Sequence, residues 1–377
     1  MKQLTFFLIL ILLLIQSCSN QESSNNVLID VPIVIDIDAV KSKPLKLSHI
    51  QYIPLETSEE CLIGRASKML VRNSKIYVAD FSKSMSLFVF DMNGKFLFKI
   101  SNRGQGPGEY ISFHDFDIQT NGDIYMFDQH RKKFLIHNSE GEYLRDVNSD
   151  YYFGKFCIVN NKMYWSKLRE SGQMFANLAV YDMTNKTTDF ILKDEKFLHP
   201  LELVNASSYD FYYSPDNIVY YSPKFSEIIY SVNENGVRPA IGIKNLNIPS
   251  KDVINGWLQI TDIFERAIQT DNSGYFLENV YIYETDKYIT FICKKGVIND
   301  FLFYNKISKS VCGVFFHEFF SSIGIDKVLG STGKEFFSVI DFDSDNVHHK
   351  RILESREELK NWKEDDNPVI VFFTPDM

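Results

Sequence analysis

A short motif that returns six times along the chain constrains its fold more than any other feature. Each copy places an apolar-aromatic segment after a turn, and the copies read NSKIYVAD, NGDIYMFD, NNKMYWSK, PDNIVYYS, TDKYITFICK and GKEFFSVIDF. Their anchor positions are Tyr77, Tyr125, Tyr164, Val219, Ile289 and Phe337, with gaps of 48, 39, 55, 70 and 48 residues. A recurrence of about 50 residues, with three or four strands per unit, is typical of a β-propeller. We therefore predict an all-β fold, a six-bladed β-propeller.

The composition agrees with a strand-rich fold and argues against one class of partner. The 377 residues include 32 Phe and 20 Tyr, and aromatic side chains favour the pleated, half-buried surfaces of sheets. The formal net charge is −9, whereas general nucleic-acid binding needs a basic footprint. We therefore expect no nucleic acid among the partners.

The glycine-rich stretch RGQGPGEY, residues 103–110, has two possible roles. A phosphate-binding loop needs a strand before the glycines and a helix N-terminus after them, so that backbone N–H groups converge on the anion. A strand pattern and not a helix follows at residues 111–118, so we interpret the stretch as the joint between two blades. Gly104, Gly106 and Gly108 allow the chain to turn there, and Pro107 stiffens the passage.

The segment that runs from GQGPGEY through NGDIYMFD to SEGEYLRDV resembles the NHL repeat, which combines a glycine-rich joint with the patterns G-x-I-Y-V-x-D and D-x-x-G-x-F. The chain also resembles the six-bladed propeller lipoproteins of Bacteroidetes, with YIPLET (52–57) near its start and DDNPVIVFF (365–373) near its end. The match is strong over residues 50–147 and weak after residue 180, where the glycine joints are missing. The resemblance implies a propeller, but one fold hosts many functions and so it implies no ligand.

The N-terminus has the pattern of a targeting segment. Residues 4–15 (LTFFLILILLLI) form an apolar run that is too short to span a hydrocarbon core of about 30 Å as a helix, but that suits a secretory signal. The run leads to IQSC at residues 15–18, which resembles a bacterial lipobox, where cleavage precedes a cysteine that receives acyl chains. The alternative is an ordinary signal peptide in which Cys18 occurs by chance.

These features define the expected domain organisation and location. We predict a lipoprotein signal peptide over residues 1–17, a flexible polar tether over residues 18–26 and a propeller domain over residues 27–377. The lipidated Cys18 would anchor the protein to a membrane of the cell envelope, with the outer membrane as the expected site. The sequence leaves open whether the propeller faces the periplasm or the outside.

Three further segments bear on the ring and its departures from the repeat. The last unit offers too few strands for a full blade, so we predict that the run VLIDVPIVIDI, residues 27–37, supplies its missing outer strand. Apolar positions after Ser250 approximate helical spacing, so residues 246–268 should form an insertion packed on the ring. A helix is also expected at residues 352–363.

The sequence shows no catalytic nucleophile signature and no clustering of Cys and His at zinc spacing. Cys61, Cys157, Cys293 and Cys312 lie mostly in apolar runs, so we expect buried thiols. Their spacing leaves a disulfide open.

Asp80 and Asp128 end equivalent strands of the first two blades and have two interpretations. They could face the channel mouth and help to hold calcium, as in hydrolases of the lactonase type built on six-bladed propellers. They could instead accept hydrogen bonds from backbone N–H groups of the following turn, which is the interpretation we favour. His348-His349 is expected to be a surface-loop pair, and no cofactor is predicted outside the calcium alternative.

Basic residues accumulate in the loops that join the second and third strands of the predicted blades. In a propeller these loops share a face with the blade-to-blade joints, and charge gathered there raises the local concentration of oppositely charged ligands. The windows 81–86, 129–133, 166–173, 222–227 and 294–299 hold nine Lys or Arg and two Glu. The candidate ligand-binding residues, with the aromatic side chains expected beside them, are Arg103, Arg131, Lys132, Lys133, Trp165, Lys167, Arg169, Tyr221, Phe225 and Lys294.

We therefore expect a propeller that binds a ligand or a protein partner at the envelope, the ligand being an acidic glycan, peptide carboxylates or an acidic patch of a protein. One alternative is that these lysines are merely solvated. The other is a metal-dependent hydrolase or lyase with its site at the channel mouth. Three or more carboxylate and amide oxygens within about 2.6 Å of one point would favour calcium and catalysis, whereas an aromatic, basic rim favours binding.

Overall fold

The computed structural model describes residues 30–170, 173–193, 209–215, 217–295, 301–343 and 345–377. Within them, six separate sheets of four or five strands form the blades of a six-bladed β-propeller. The predicted fold class is therefore confirmed. The signal segment, Cys18 and the tether lie outside the described residues.

The strands of the first half of the chain follow the predicted order. Three strands precede the first full blade: β1 (Ile33–Asp36), β2 (Lys41–Ser42) and β3 (Leu47–Pro54). Blade 1 consists of β4 (Lys68–Arg72), β5 (Lys75–Asp80), β6 (Ser86–Asp91) and β7 (Phe96–Ile100). Blade 2 consists of β8 (Asp115–Ile118), β9 (Ile124–Asp128), β10 (Lys133–His137) and β11 (Tyr143–Asn148). Blade 3 consists of β12 (Phe156–Val159), β13 (Lys162–Glu170), β14 (Gln173–Asp182) and β15 (Thr187–Ile191).

The second half continues the same antiparallel meanders. Blade 4 contains β16 (Phe211–Tyr213), β17 (Val219–Tyr221), β18 (Ile228–Asn233) and β19 (Gly236–Lys244). Blade 5 contains β20 (Glu278–Glu284), β21 (Tyr288–Lys294), β22 (Phe301–Asn305) and β23 (Ser310–Val314). Blade 6 contains β24 (Gly330–Ser331), β25 (Phe336–Ile340) and β26 (Val369–Pro375), and its fourth strand is β3.

The repeated motif marks the second strand of every blade. Its six anchor positions lie on β5, β9, β13, β17, β21 and β25, as the repeat predicts. Every residue of β9 and of β21 is buried, because a blade is covered on both faces by its neighbours. Apolar side chains on both faces of a strand are therefore the sequence signal of this position.

An N-terminal strand completes blade 6, but it comes from a different segment than predicted. β3 pairs with β26 in antiparallel register, from Pro54↔Val369 to Leu47↔Pro375. The assignment of this role to residues 27–37 is therefore wrong. Within that run, β1 buries Ile35 alone among its four side chains, so it covers the outer edge of a blade and does not fill an interior position.

The segment between residues 33 and 54 passes along the outer edges of three blades in turn. β1 pairs in parallel with β19 of blade 4, and β2 pairs in parallel with β23 of blade 5. β3 then joins blade 6. The N-terminal part of the chain thus ties half of the ring together.

Helices lie in the connections at one face of the ring. The predicted insertion contains α1 (Lys251–Gln259) and α2 (Ile263–Asp271), between blades 4 and 5. α1 buries Ile254 and Trp257 against Leu277, so the insertion packs on the ring as expected. No helix in the described ranges is both long enough and apolar enough to cross a membrane.

Two more helices flank blade 6. α3 (Phe316–Ile323) connects blade 5 to blade 6, and α4 (Val347–Ser355) lies between β25 and β26. α4 begins five residues before the predicted helix. His348-His349 therefore lies in a helix and not in a surface loop, and the Nδ1 of His349 accepts a hydrogen bond from the Asp343 N–H at 3.0 Å. His349 is 6% exposed, and burial lowers its pKa.

The glycine-rich stretch joins blade 1 to blade 2, as predicted. It lies between β7 and β8, and a strand follows it where a phosphate loop would need a helix. Gly108 has a φ of +74°, and a Cβ at this position would lie 2.9 Å from the ring of Tyr143. The N–H of Gly106 donates to Glu109 Oε2 at 2.8 Å, and this hydrogen bond within the joint helps to fix its conformation.

The four described cysteines are free and buried, which confirms the prediction of buried thiols and excludes a disulfide among them. Burial raises the pKa of Cys293 to about 12. A thiol of this pKa stays protonated at neutral pH and behaves as a small apolar side chain.

Two aspartates of the inner strand β8 connect blade 2 to blade 3. Asp115 Oδ2 accepts a hydrogen bond from the Phe156 N–H at 3.0 Å, and Asp117 Oδ2 accepts one from the Ile158 N–H at 2.6 Å. Both carboxylates are fully buried. Burial raises the pKa of Asp117 to about 6, although the charge of Lys68 opposes the shift.

We expect the contribution of Asp117 to stability to depend on pH. Its pKa is higher in the folded chain than the ordinary value of 3.8, so the folded state binds the proton more tightly. The stability that Asp117 contributes is therefore greatest below about pH 4 and declines until about pH 6. A rise of two pKa units corresponds to about 3 kcal/mol.

The measurement is urea unfolding of the wild type and of Asp117→Asn at several pH values. The stability of the wild type relative to the variant should fall by about 2 to 3 kcal/mol between pH 4 and pH 7. Asp365→Asn, at an exposed position, is the matched control for the loss of one carboxylate and should change stability by less than about 0.5 kcal/mol. A pH-independent difference for Asp117→Asn would contradict the prediction.

Asn367 connects the C-terminal strand to the segment that follows β3. Its Nδ2 donates to the carbonyl oxygens of Glu56 at 2.6 Å and of Cys61 at 2.8 Å. Its Oδ1 accepts from the Ile63 N–H at 2.8 Å, and the residue is 1% exposed. One amide thus satisfies three buried backbone groups about 300 residues away in sequence.

We expect Asn367→Ala to destabilise the protein by about 3 kcal/mol or more, because it leaves two carbonyl groups and one N–H without partners. Chemical denaturation of the variant and the wild type measures this loss. Asn255→Ala, at an exposed position of α1, is the control and should change stability by less than about 0.5 kcal/mol. If Asn367→Ala lowered stability no more than this control, the connection between the C-terminal strand and the segment after β3 would not depend on the amide.

Candidate functional site

The predicted ligand site lies on the face that carries the blade-to-blade joints. The inner strands β4, β8, β12, β16, β20 and β24 begin at this face, because each one follows a joint. The loops between second and third strands return to the same face, because antiparallel strands reverse direction twice. We call it the joint face, and the central channel opens at its middle.

Two of the predicted basic residues are buried in ion pairs. Lys133 is 7% exposed, and its ammonium pairs with Asp146 of the neighbouring strand. Lys294 is also 7% exposed, and its Nζ lies 3.8 Å from Glu278 Oε1. These lysines connect strands within their own blades, so they add little to the surface charge that the sequence windows suggested.

The three predicted aromatic residues are buried too, which corrects the expectation that they offer stacking surface. Trp165, Tyr221 and Phe225 are 3%, 1% and 5% exposed. The Trp165 ring stacks on Phe153 with centroids 5.5 Å apart. The Tyr221 hydroxyl donates to the Asn177 carbonyl oxygen at 2.9 Å. These rings are buried in the apolar contacts within and between blades, so they are not exposed at the rim.

Three other predicted residues come together where blade 2 borders blade 3. Lys132 Nζ lies 3.9 Å from the centroid of the Tyr152 ring, and Tyr152 is 46% exposed. The Arg169 N–H donates to the Tyr152 carbonyl oxygen at 2.9 Å, and Arg131 Nη1 donates to the Glu109 carbonyl oxygen at 3.1 Å. We call Arg131, Lys132, Tyr152 and Arg169 the rim patch.

A tight turn fixes the position of Lys132. Its φ is +51°, in the left-handed region that residues other than glycine rarely adopt. Asp128 Oδ1 accepts from the Arg131 N–H at 3.2 Å, and the Ser149 N–H donates to the Lys132 carbonyl oxygen at 2.8 Å. The rim patch is therefore presented by a backbone that several hydrogen bonds hold in one conformation.

The two remaining predicted residues lie apart from the rim patch. Arg103 is exposed in the glycine-rich joint, where its backbone bridges to Tyr110. Lys167 lies nearer the channel, where its Nζ donates to Asp210 Oδ1 at 2.6 Å. Residues 171–172 and 296–299 of the predicted windows lie outside the described residues.

Charged residues at the channel mouth form a second site, which the sequence prediction missed; of its partners only Lys167 was predicted. Lys68, Asp115 and Glu278 are the first residues of β4, β8 and β20. Lys155 and Asp210 directly precede β12 and β16. Five of the six inner strands thus carry a charge where they begin, and we call these five residues the channel ring.

Both aspartates of the channel ring are held by lysines from a neighbouring blade. Lys68 Nζ donates to Asp115 Oδ1 at 2.8 Å. Lys167 Nζ and the Ser166 hydroxyl each donate to a different oxygen of Asp210 at 2.6 Å. Burial alone would raise the pKa of Asp210, but the charge of Lys167 and these two hydrogen bonds outweigh burial and lower the pKa.

The sequence did contain a signal for the channel ring. In three consecutive blades a charged residue stands directly before Phe at the start of the inner strand, as Asp115-Phe116, Lys155-Phe156 and Asp210-Phe211. The same pair also stands at the start of other strands, as Lys95-Phe96, Lys133-Phe134 and Glu335-Phe336, so by itself it does not identify the inner strands.

Asp80 and Asp128 have the structural role that we favoured. Asp80 Oδ1 accepts from the N–H groups of Ser82 at 3.0 Å and Lys83 at 2.9 Å. Asp128 Oδ2 accepts from the Ile111 N–H at 2.7 Å, in the joint that leads into its own blade. Across the described ranges, no group of three His, Cys, Asp or Glu side chains is placed to hold a metal ion.

Comparison with known structures shows that two proteins of Bacteroides share this architecture. A candidate exported protein of Bacteroides fragilis superposes with a TM-score of 0.74 at 18% sequence identity, over 92% of this chain and 99% of that one. A member of the DUF4221 family from Bacteroides vulgatus superposes with a TM-score of 0.53 at 12% identity, over 88% of this chain and 98% of that one. At these identities the likeness shows a shared fold and no shared activity.

Sequence comparison supplies the family. A search of curated proteins gives no match, and the resemblance to NHL repeats is not confirmed. The model of the family described as "Domain of unknown function (DUF4934)" matches residues 32–374, which include nearly all of the propeller. The chain therefore belongs to the DUF4934 family.

Proposed function

We propose that this protein is an exported, envelope-anchored propeller that binds an acidic ligand or partner at the rim patch of its joint face. The Lys132–Tyr152 pair carries the proposal, because a partly exposed ammonium lies 3.9 Å from the centroid of a ring that is 46% exposed. One ligand can use both groups, since the ammonium attracts a carboxylate and the ring contacts an apolar or sugar face.

The charge around this pair supports an acidic ligand. Arg131 and Arg169 are partly exposed beside Lys132 and Tyr152, in a chain whose net charge is −9. A local positive region in an acidic protein concentrates anions at one place and repels them elsewhere. Binding of this kind weakens with salt, because the Debye length falls to about 8 Å at physiological ionic strength.

The location part of the proposal rests on the N-terminus. The apolar run at residues 4–15 and the lipobox-like IQSC before the propeller are the features of an exported lipoprotein anchored through Cys18. The candidate exported protein of Bacteroides fragilis, which shares the fold, supports an envelope location. A tether over residues 18–26 would let the joint face reach ligands near the membrane that holds the anchor.

A metal-dependent hydrolase or lyase is not proposed. The aspartates that suggested calcium are occupied by backbone N–H groups of turns and joints. No observation on the described residues favours this alternative over binding.

The test is an array of acidic glycans and acidic peptides probed with the purified chain in detergent. Lys132→Asn removes the charge and suits the left-handed backbone, because Asn tolerates positive φ better than most residues. We expect Arg131→Ala with Lys132→Asn to weaken binding at least about tenfold, which corresponds to about 1.4 kcal/mol. Lys132→Arg should keep binding within about threefold, because it preserves the charge and stacks on the ring.

The control is Lys95→Asn, in the turn between β6 and β7 on the opposite face, which should bind like the wild type. Lys133 is left unchanged, because its loss would leave Asp146 without its ion pair and lower stability for reasons unrelated to a ligand. Binding that survives in the double variant, or that does not weaken with added salt, would refute the rim patch as the site.

A further inference from the structure

Lys155 of the channel ring has an unusual environment for a lysine. Its Nζ donates one hydrogen bond, to the His114 carbonyl oxygen at 3.0 Å, and lies 5.1 Å from the centroid of the Phe81 ring. An ammonium has three N–H donors. Within the described part of the chain, this is the single hydrogen bond of the ammonium, so two donors have no acceptor there.

The nearest carboxylates are already used by other groups. Asp115 accepts hydrogen bonds from Lys68 Nζ at 2.8 Å and from the Phe156 N–H at 3.0 Å. Asp210 accepts from Lys167 Nζ and from the Ser166 hydroxyl. The described lysines and aspartates at this side of the mouth thus number three and two, and the His114 imidazole lies close to Lys155, Asp115 and Asp210 as well. Each aspartate has a lysine of its own, and the third lysine, Lys155, has none.

Lys155 is partly exposed, so an anion can approach its ammonium from solvent. Lys68, Phe156, Tyr209, Asp210 and Phe211 lie around it so closely that an anion would bind at the surface of this group and not between its side chains. Burial lowers the pKa of Lys155, and the charges of Asp115 and Asp210 oppose this shift. A bound anion would offset the burial of the ammonium.

We propose that Lys155 is the anchor of an anion site at the channel mouth, which takes the carboxylate group of a small organic acid or sugar acid. A carboxylate supplies two acceptor oxygens, which matches the two N–H donors of Lys155 that lack acceptors among the described residues. This site shares no residue with the rim patch, so it does not depend on the proposed function. It adds a small-molecule subsite to a face proposed above to bind larger acidic partners.

The test measures how fast each lysine of the purified chain is reductively methylated with isotopically labelled formaldehyde, by peptide mass spectrometry. The reaction is run in sodium D-glucuronate, in sodium acetate, and in D-glucose with sodium perchlorate at matched ionic strength. A carboxylate on Lys155 blocks its amine and raises its pKa, so methylation of Lys155 should slow at least threefold in glucuronate or acetate. Lys95, exposed on the opposite face, is the internal control and should react at one rate throughout.

The measurement uses the wild type, so it does not require that a variant folds. Equal rates for Lys155 in all three solutions, or equal slowing of Lys95, would overturn the proposal. Repeating the protection assay on Lys132→Asn separates the two sites, because protection of Lys155 should persist when the rim patch is disabled. As a second readout, glucuronate should raise the thermal midpoint of the Arg131→Ala, Lys132→Asn variant, in which the rim patch is disabled. Adding Lys155→Met, which keeps the chain length and removes the charge, should abolish that rise.

Discussion

The ring depends on side-chain contacts between sheets, because each backbone ladder stays within its own blade. Aromatic rings supply many of these contacts, and the Phe127 and Phe153 rings, with centroids 4.3 Å apart, connect blade 2 to the joint that follows it. Phe153 also stacks on Trp165 of blade 3. Each such ring buries about 150 to 250 Å², so a chain with 32 Phe and 20 Tyr can hold six small sheets together without continuous hydrogen bonding around the ring.

The same constraint explains which parts of the fold could be predicted from the sequence. The second strand of each blade is covered on both faces, so its apolar run is unmistakable and all six anchors were placed correctly. The closing strand β3 and the edge strand β1 both lie at the outside of a blade, where few side chains are buried. Many different sequences can form such a strand, so the sequence pattern does not show which segment occupies the position. Residues 27–37 are the more apolar of the two runs, yet burial of Tyr52 and Ile53 fixes β3 in blade 6.

For the candidate site, too, the sequence identifies some of the residues, whereas packing that the sequence does not show determines which side chains are exposed. Counting basic residues in loops places Arg131, Lys132 and Arg169 at the joint face, because the loops between second and third strands return to that face. The count could not separate Lys133, whose partner Asp146 lies on the adjacent strand. Nor could it identify Tyr152, since nothing in a single sequence shows that a joint residue will lie under a lysine from another loop.

The channel ring shows how charge can hold blades together where rings do not. Lys68 and Asp115 connect blade 1 to blade 2, and Lys167 and Asp210 connect blade 3 to blade 4. Buried ion pairs gain little over apolar packing, because desolvation offsets much of the attraction. Their value here is directional, since each pair fixes one blade relative to the next at the mouth, where the inner strands begin.

Lys155 does not form such an ion pair. It connects blade 3 to blade 2 through the His114 carbonyl oxygen, and among the described groups no carboxylate pairs with it alone. An anion bound to Lys155 would therefore act on the ring as well as on the ligand, by completing the series of charge pairs across the blade boundaries. A ligand that binds the folded ring alone stabilises it in proportion to RT ln(1 + [L]/Kd), so any ligand bound at either site raises the stability of the fold. Both sites lie where blade 2 borders blade 3. Occupancy of either site should therefore restrict the motion of blade 3 against blade 2.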